Sequence, residues 1–186
     1  MLQPITVERF LAASVDYRQV LIFLRREGKK IEETKLLIYE YNTTTGTVSI
    51  NVSEAELSTV WRPNQPGDAY GLAVSSNSEE VDDWQILLQN LDFKETCQWE
   101  MKRVCYRYHG VNVYLDNIRG VGLRISLNKL IDSRIAETQE KHLRTQLDHL
   151  LDQSRAQARP TDKSKKILGN YRRTWSAAIK KAYKKI

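Results

Sequence analysis

Cysteine and histidine, which hold most transition metals and carry thiol redox chemistry in proteins, are scarce in this chain. The 186 residues include two cysteines and three histidines. Cys97 and Cys105 lie eight positions apart without a Cys-x-x-Cys motif, and His142 and His149 lie seven apart with no other ligand type clustered near them. We therefore expect buried, reduced thiols and no metal site.

Long apolar segments are also missing. No stretch approaches the roughly 20 apolar residues that a membrane-spanning helix needs. The opening residues, MLQPITVERF, do not follow a basic segment with an apolar one as a secretion signal does. A hydrophobic content of 41% still suffices for a buried core. These features predict an intracellular protein with no transmembrane segment.

Charge is distributed unevenly along the chain. Residues 155–186 contain 11 of the 29 lysines and arginines but one of the 23 acidic residues, which gives this tail a net charge of +10. The remaining residues, 1–154, carry a net charge of −4. Partners of negative charge are therefore expected at the C-terminal end first.

The hydrophobic pattern predicts an α+β fold with an antiparallel sheet. A short alternating segment precedes a helical period that stops at Gly28, and several strands follow. A second helix is predicted to begin with Asn77 or Ser78 as its N-cap, and two further strands meet at His109 and Gly110 in a predicted hairpin. A strand at 122–128 precedes a polar helix predicted over 129–157. We divide the chain into a domain at 1–158 and a basic amphipathic helix at 159–186.

Four segments occur in an order that resembles a known family. They are LRREGKKIEETKLLIYEYN (24–42), WQILLQNLDF (84–93), QWEMKRVCYRY (98–108) and VNVYLDNIRGVG (111–122). Their order and spacing resemble those of the CYTH or triphosphate-tunnel proteins, which include class IV adenylyl cyclases and thiamine triphosphatases. The resemblance covers about residues 1–150. It implies an antiparallel β-barrel or strongly curved sheet with flanking helices. Basic side chains on its inner face would hold a triphosphate, and paired carboxylates would hold divalent metal.

The residues that the resemblance assigns to metal binding are replaced in this sequence. The opening Glu-x-Glu-x-Lys of the family, aligned on Phe10–Leu11, falls on Ile5, Val7 and Arg9, and Glu8 is then expected to face outward. The two glutamates that follow the glycine turn become Ser126 and Asn128.

The other positions of the pattern depart in the same way. The mid-chain Glu-x-Glu falls near Tyr70 and Leu72, and two arginines of an inner strand fall near Ser49 and Asn51. Residues 119–131 contain no acidic residue, so a shift of register does not restore the last carboxylate pair. Metal-dependent catalysis is therefore expected to be lost.

Some basic residues fall where the resemblance implies phosphate ligands. The candidates for phosphate binding are Arg9, Arg62, Lys102, Arg103, Arg119 and Arg124. Lys102 and Arg103 alternate in direction along a strand, and Arg103 has the family-like position; the alternative for either is a solvated strand face. Asp116 could contact a ligand, but an aspartate that leads into a turn more often accepts a hydrogen bond from its own backbone.

The basic tail is the second functional signal. Ile167, Tyr171, Trp175, Ala178 and Ala182 recur at helical spacing, with the charges mostly elsewhere. Cations interleaved with aromatic rings suit nucleic acid, with RNA favoured because bases can stack on the rings. The candidate residues are Lys165, Lys166, Tyr171, Arg172, Arg173, Trp175, Lys180, Lys181, Lys184 and Lys185. An anionic membrane, an acidic protein groove, or docking of Tyr171 and Trp175 on the domain are the alternatives.

The sequence thus favours a non-catalytic CYTH-like binding or adaptor protein, without cofactors, whose basic helix engages nucleic acid or another polyanion. The alternative is a divergent metal-dependent triphosphatase or adenylyl cyclase that acts on a nucleotide or organic triphosphate. In that case Mg²⁺ or Mn²⁺ would use relocated ligands such as Glu8, Glu40 and Asp116. A structural subunit of a larger assembly, tethered by its tail, is a third interpretation.

Overall fold

A computed structural model of the chain describes residues 2–42, 44, 46–63, 72–132 and 136–183. The strands are β1 (Leu2–Phe10), β2 (Lys29–Asn42), β3 (Gly46–Val52), β4 (Leu57–Pro63), β5 (Leu72–Ser76), β6 (Lys94–Tyr108), β7 (Val111–Ile118) and β8 (Gly122–Asp132). The α-helices are α1 (Ser14–Glu27), α2 (Val81–Asn90), α3 (Ala136–Ser154) and α4 (Thr161–Tyr183), and a 3-10 turn at Ser78–Glu80 precedes α2.

The strands form one eight-stranded sheet in the order β1-β8-β7-β6-β2-β3-β4-β5. The pairs β1–β8, β7–β8, β2–β3, β3–β4 and β4–β5 are antiparallel. Strands β1 and β5 end this order, so the sheet is not closed within the described part of the chain. The prediction of an α+β fold with an antiparallel sheet and flanking helices is confirmed.

Two glycine turns shape the C-terminal strands. His109 and Gly110 have φ angles of 44° and 76°, and positive φ at both residues is what a two-residue hairpin between twisted strands requires. Gly122, with φ of 118°, opens β8, and a Cβ there would lie 3.0 Å from Nη2 of Arg159. The positive φ therefore favours glycine at this position, and a Cβ would also require the end of the Arg159 side chain to move.

The chain divides into two compact units, Met1–Glu33 with Lys102–Leu168, and Thr34–Met101 with Gly169–Ile186. In the first unit, hereafter unit 1, helices α1 and α3 cover one face of the strands. Leu24 and Leu147 from these helices pack with Val113, Leu115 and Ile125, and all five are fully buried. Unit 1 therefore has an apolar, helix-covered sheet face and an opposite face whose residues alternate with the core residues.

The second unit, hereafter unit 2, has its own core. Tyr41, Val48, Ile50 and Leu57 pack against Leu88 of α2. Asn77, one of the two predicted caps, caps the 3-10 turn that leads into α2, and its side chain accepts a hydrogen bond from the backbone N–H of Glu79 at 3.2 Å. The proposed division at residues 158 and 159 stays a prediction, since α4 contributes residues to both compact units.

One predicted boundary is wrong. Residues 129–132 continue β8 instead of opening a helix, because they pair with β1, with Leu2 opposite Asp132 and Ile5 opposite Lys129. Partners more than a hundred residues away leave no local signal in the sequence.

Tyr70 and the side chain of Arg62 lie outside the described residues. Within the described ranges, no helix is long and apolar enough to cross a membrane.

Candidate functional site

The face of unit 1 opposite the helices carries a cluster of four charged residues, which we call the arginine–carboxylate cluster: Glu8, Arg103, Asp116 and Arg124. Arg103 donates to Asp116 from Nε at 2.7 Å and from Nη2 at 3.0 Å. Arg124 donates to the same carboxylate from Nε at 3.1 Å and Nη2 at 2.7 Å, and its Nη1 donates to Glu8 at 3.0 Å. Two arginines and two carboxylates therefore offset each other's charge.

Burial makes this pairing strong. The Asp116 side chain is fully buried, and those of Arg103 and Arg124 are 23% and 20% exposed. Burial by itself raises the pKa of Asp116, but the hydrogen bonds and charges of Arg103 and Arg124 outweigh it and hold that pKa below its ordinary value. For Arg103, burial lowers the pKa, and Asp116 reverses the effect so that the pKa is raised. Both partners are therefore ionised at neutral pH.

Strand register explains how the cluster assembles. Arg124 of β8 pairs with Asp116 of β7 on one side and with Phe10 of β1 on the other. Glu8 lies two residues before Phe10 in β1, so its side chain is on the same face of the sheet as Arg124. The expectation that Glu8 faces outward is wrong, because the alignment on Phe10–Leu11 shifted β1 by one residue. Val7 is buried in the unit 1 core instead. Along β1, the apolar residues Ile5 and Val7 alternate with Thr6 and Glu8. This alternation indicates that Ile5 and Val7 face the core and that Glu8 faces the opposite side.

The expected role of Asp116 in its own turn is also wrong. Asp116 lies inside β7, and its carboxylate accepts hydrogen bonds from the side chains of Arg103 and Arg124. An aspartate in a strand has no nearby N–H in turn geometry to bind, so a charge on the neighbouring strand is its partner. The sequence identified Arg103, Asp116 and Arg124 individually but not their mutual neutralisation.

Two of the remaining phosphate-binding candidates, Arg9 and Lys102, alternate along their strands with members of this cluster and so lie on the other face. Arg9 alternates with Glu8 and its Nη2 lies 3.7 Å from Asp148 of α3, which places it on the helix-covered side of unit 1. Lys102 is exposed and alternates with Arg103 on β6, and Arg119 is exposed in the turn before β8. A phosphate-binding role for these three residues stays a prediction, as does that of Arg62.

The donor set of the cluster does not fit a divalent metal. The resemblance implies metal on paired carboxylates, but Asp116 accepts four hydrogen bonds from Arg103 and Arg124, and three of these four converge on its Oδ2. Ser126 and Asn128, which replace the family glutamates, lie on the same face, opposite Glu8 and Thr6, and Asn128 donates to the Thr6 hydroxyl at 2.8 Å. Within the described ranges, no group of three or more His, Cys, Asp or Glu side chains is placed to hold a metal ion.

A cavity of about 270 Å³ lies in unit 1 on the helix-covered side of β6. It is lined by Tyr17, Leu21, Arg25, Gly28, Lys30, Glu33, Val104 and Tyr106. Val104 and Tyr106 alternate with Arg103 on β6 and belong to the apolar core, so the cavity and the arginine–carboxylate cluster are on opposite faces of that strand. No site residue predicted from the sequence lines this cavity.

In unit 2, the basic helix α4 is anchored to β6. The Tyr171 ring stacks on Trp99, with centroids 4.8 Å apart and planes inclined by 23°. The Tyr171 hydroxyl donates to the carbonyl oxygen of Gln98 at 2.8 Å. Beside it, Arg172 contacts Glu40 at 3.4 Å and its guanidinium lies 5.7 Å from the Trp99 ring centroid. We call these contacts the α4 anchor.

The α4 anchor corrects one predicted role and leaves several cations exposed. Tyr171 is 5% exposed, so its ring is not available to stack on a base, and the docking alternative is the correct interpretation for this residue. Arg173 is exposed, and Trp175 is half-buried. Lys165 and Lys166 are exposed on the first turns of the helix. The helix backbone extends through Lys180 and Lys181, whose side chains lie outside the description, as do Lys184 and Lys185.

Sequence comparisons identify no relatives: no family model matches the chain, and no curated protein matches it. Solved structures are similar in fold. A candidate adenylate cyclase from Vibrio parahaemolyticus superimposes with a TM-score of 0.66 at 12% identity, over 90% of this chain and 98% of its own. A candidate adenylyl cyclase from Hippeastrum with a dominant triphosphatase activity gives a TM-score of 0.58 at 12% identity, over 84% and 90% of the two chains.

A chain of the Mediator head module of Schizosaccharomyces pombe is also similar. Its TM-score is 0.59 at 9% identity, and the match covers 82% of this chain and 95% of that one. Likeness at such low identities shows a shared fold. The CYTH-like fold that the sequence motifs implied is therefore confirmed: this chain has the fold of the adenylate cyclase and triphosphatase candidates.

Proposed function

We propose that this protein is a non-catalytic binding or adaptor protein with a CYTH-like fold, whose basic helix α4 binds nucleic acid. The observation that carries the proposal is the α4 anchor. It buries the aromatic side of the helix through Tyr171, while Lys165, Lys166 and Arg173 remain exposed. A helix held in this way presents its cations to a partner without first having to fold.

The charge of the tail favours a polyanion. Lysine and arginine side chains that neutralise phosphates release condensed counterions, and this release drives binding. The tail has a net charge of +10, against −4 for the remainder of the chain. Nucleic acid is the polyanion we favour because its phosphates recur at regular intervals along the strand, as the cations recur along α4.

The absence of triphosphate chemistry is supported by the arginine–carboxylate cluster. Arg103 and Arg124 would be the natural phosphate ligands of this face, but Asp116 and Glu8 already neutralise them. A triphosphate would have to displace a fully buried carboxylate from two arginines, and separating such a buried pair is strongly unfavourable.

Binding of a labelled RNA, followed by fluorescence anisotropy, tests the proposal. We compare the full chain with the variant K165Q/K166Q/R173Q, which removes three exposed cations of α4, and with K94Q as a matched control on β6. Binding by the full chain and by K94Q, with at least tenfold weaker binding by the triple variant, supports the proposal. Equal binding by all three proteins, or no binding at all, contradicts it.

A second candidate function is a triphosphatase or nucleotidyl cyclase that binds a nucleotide or another organic triphosphate. It is favoured by the shared fold and by the meeting of two carboxylates, Glu8 and Asp116, at Arg124. The discriminating measurement is turnover of ATP with Mg²⁺ or Mn²⁺. If the wild type releases phosphate, pyrophosphate or cyclic nucleotide and the variant R103Q does not, the protein is an enzyme and the non-catalytic proposal is wrong.

A further inference from the structure

The cavity of unit 1 has a buried floor and an exposed mouth. Its volume is about 270 Å³, slightly below the roughly 300–1,000 Å³ of sites that hold drug-sized ligands. Val104 and Tyr106 of β6 form the floor and are 8% and 2% exposed, whereas Arg25 and Lys30 at the mouth are exposed. The cavity is therefore open to solvent at one end, and its size suits a small molecule.

Helix α1 forms one wall of this cavity. Tyr17, Leu21 and Arg25 follow one another at intervals of four residues, so they lie along one face of the helix. Tyr17 and Leu21 pack against the unit 1 core, and Arg25 is exposed. The helix therefore presents to the cavity an apolar wall that ends in a guanidinium.

The charged groups that line the cavity favour a ligand with one negative charge. Arg25 and Lys30 carry two positive charges and Glu33 carries one negative charge, which leaves a net charge of +1. Lys30 donates to Glu33 at 2.7 Å, and this hydrogen bond is the first cause of the lowered pKa of Glu33. The Glu33 carboxylate is therefore ionised and offset by Lys30, and Arg25 supplies the remaining positive charge.

The tyrosine rings in the lining favour a ligand with an aromatic body. Aromatic rings pack on one another in offset or edge-to-face geometry, and such pairs add to the gain from apolar burial. Burial, followed by the charges of Asp116 and Glu33, raises the pKa of Tyr17. The phenol of Tyr17 therefore stays protonated at neutral pH, so it does not repel an anion and can donate a hydrogen bond to one.

We propose that this cavity binds a small aromatic carboxylate, with the ring of the ligand beside Tyr17, Leu21 and Val104 and its carboxylate at Arg25. A guanidinium matches a planar carboxylate with two parallel hydrogen bonds, and it neutralises a single negative charge. The site goes beyond the proposed function, because its residues come from α1, β2, β6 and the junction between α1 and β2, not from α4.

Titration of the full chain with three small molecules, followed by ligand-observed NMR, tests the proposal. Phenylacetate carries both the ring and the charge, phenylacetamide carries the ring alone, and acetate carries the charge alone. We expect phenylacetate to bind roughly tenfold or more tightly than either of the others. Equally tight binding of phenylacetamide or of acetate, or no binding of phenylacetate, overturns the proposal.

Matched variants show whether phenylacetate binds in the cavity. R25Q removes the cation at the mouth, whereas R26Q removes a cation that lies about 100° further around α1 and pairs with Glu27. R25Q should weaken binding roughly tenfold, and R26Q should leave it within about twofold. L21W fills the cavity and should abolish binding, with folding verified by circular dichroism. Unchanged binding in R25Q or in a folded L21W, or an equal loss in R25Q and R26Q, overturns the proposal.

Discussion

The Tyr171 ring lies nearly parallel to the Trp99 indole, with centroids 4.8 Å apart, and joins helix α4 to strand β6. The hydroxyl of the same tyrosine donates to the carbonyl oxygen of Gln98 at 2.8 Å. One side chain therefore combines ring stacking with a buried hydrogen bond. This pair anchors the part of the basic helix that belongs to unit 2.

The variant Y171A should destabilise the protein by about 3 kcal/mol or more, because it removes a buried aromatic side chain and leaves Trp99 without its stacking partner. Y171F loses the hydrogen bond to Gln98 and keeps the ring, so its loss should be about 1 kcal/mol. Urea unfolding followed by fluorescence measures both values. Equal effects of the two variants would mean that the ring stacking contributes nothing.

Asp116 should be the most sensitive member of the arginine–carboxylate cluster. D116N leaves the charges of Arg103 and Arg124 without their buried partner and should reduce the free energy of unfolding by about 3 kcal/mol or more. Glu8 is 45% exposed, so E8Q should reduce it by less than about 1 kcal/mol. Denaturant titration of the two variants tests this order. A larger effect of E8Q would contradict the structural role assigned to Asp116.

The pH dependence of stability has a defined sign at Asp116. The arginines hold its pKa in the folded protein below the ordinary value of 3.8. A depressed carboxyl pKa stabilises the fold fully above the unfolded value, and the contribution is lost as pH falls through the folded pKa. Stability should therefore decline as the pH is lowered below about 4, with a smaller decline in D116N. Parallel pH profiles of the wild type and D116N would show that another carboxylate is responsible.

The thiol of Cys97 should be unreactive in the folded protein. Burial raises its pKa to about 12, and the nearby Glu40 carboxylate acts in the same direction. Cys105 is also buried, and burial raises its pKa. A thiol reagent such as DTNB at pH 8 should react with both residues in denaturant and with neither under native conditions. Rapid labelling of one thiol in the native protein would place it at the surface instead.

Much of the local structure could be predicted from the sequence, because its causes are local. The stop of α1 at Gly28, the Asn77 cap and the turn at His109 and Gly110 each depend on residues within a few positions. The start of α3 could not be predicted, since residues 129–132 are strand only because β1 pairs with them. Local propensity carries no information about such a distant partner.

The candidate site was predicted in part. The sequence identified Arg103 and Arg124 separately as candidates for phosphate binding, but a one-residue error in β1 moved Glu8 to the wrong side. The stacking of Tyr171 on Trp99 joins residues far apart in the sequence, and the tyrosine ring among lysines and arginines also suited base stacking. Only the folded arrangement distinguishes a tyrosine that docks from one that binds.

The salt dependence of nucleic-acid binding by the full chain tests the central claim most directly. If α4 binds phosphates through its exposed cations, log K should fall linearly with log salt. The double variant K166Q/R173Q should then reduce the slope by about 1.8 on a duplex. K94Q should leave the slope unchanged. A slope near zero, or the same slope in the wild type and the double variant, would contradict the assignment of α4 as the binding element.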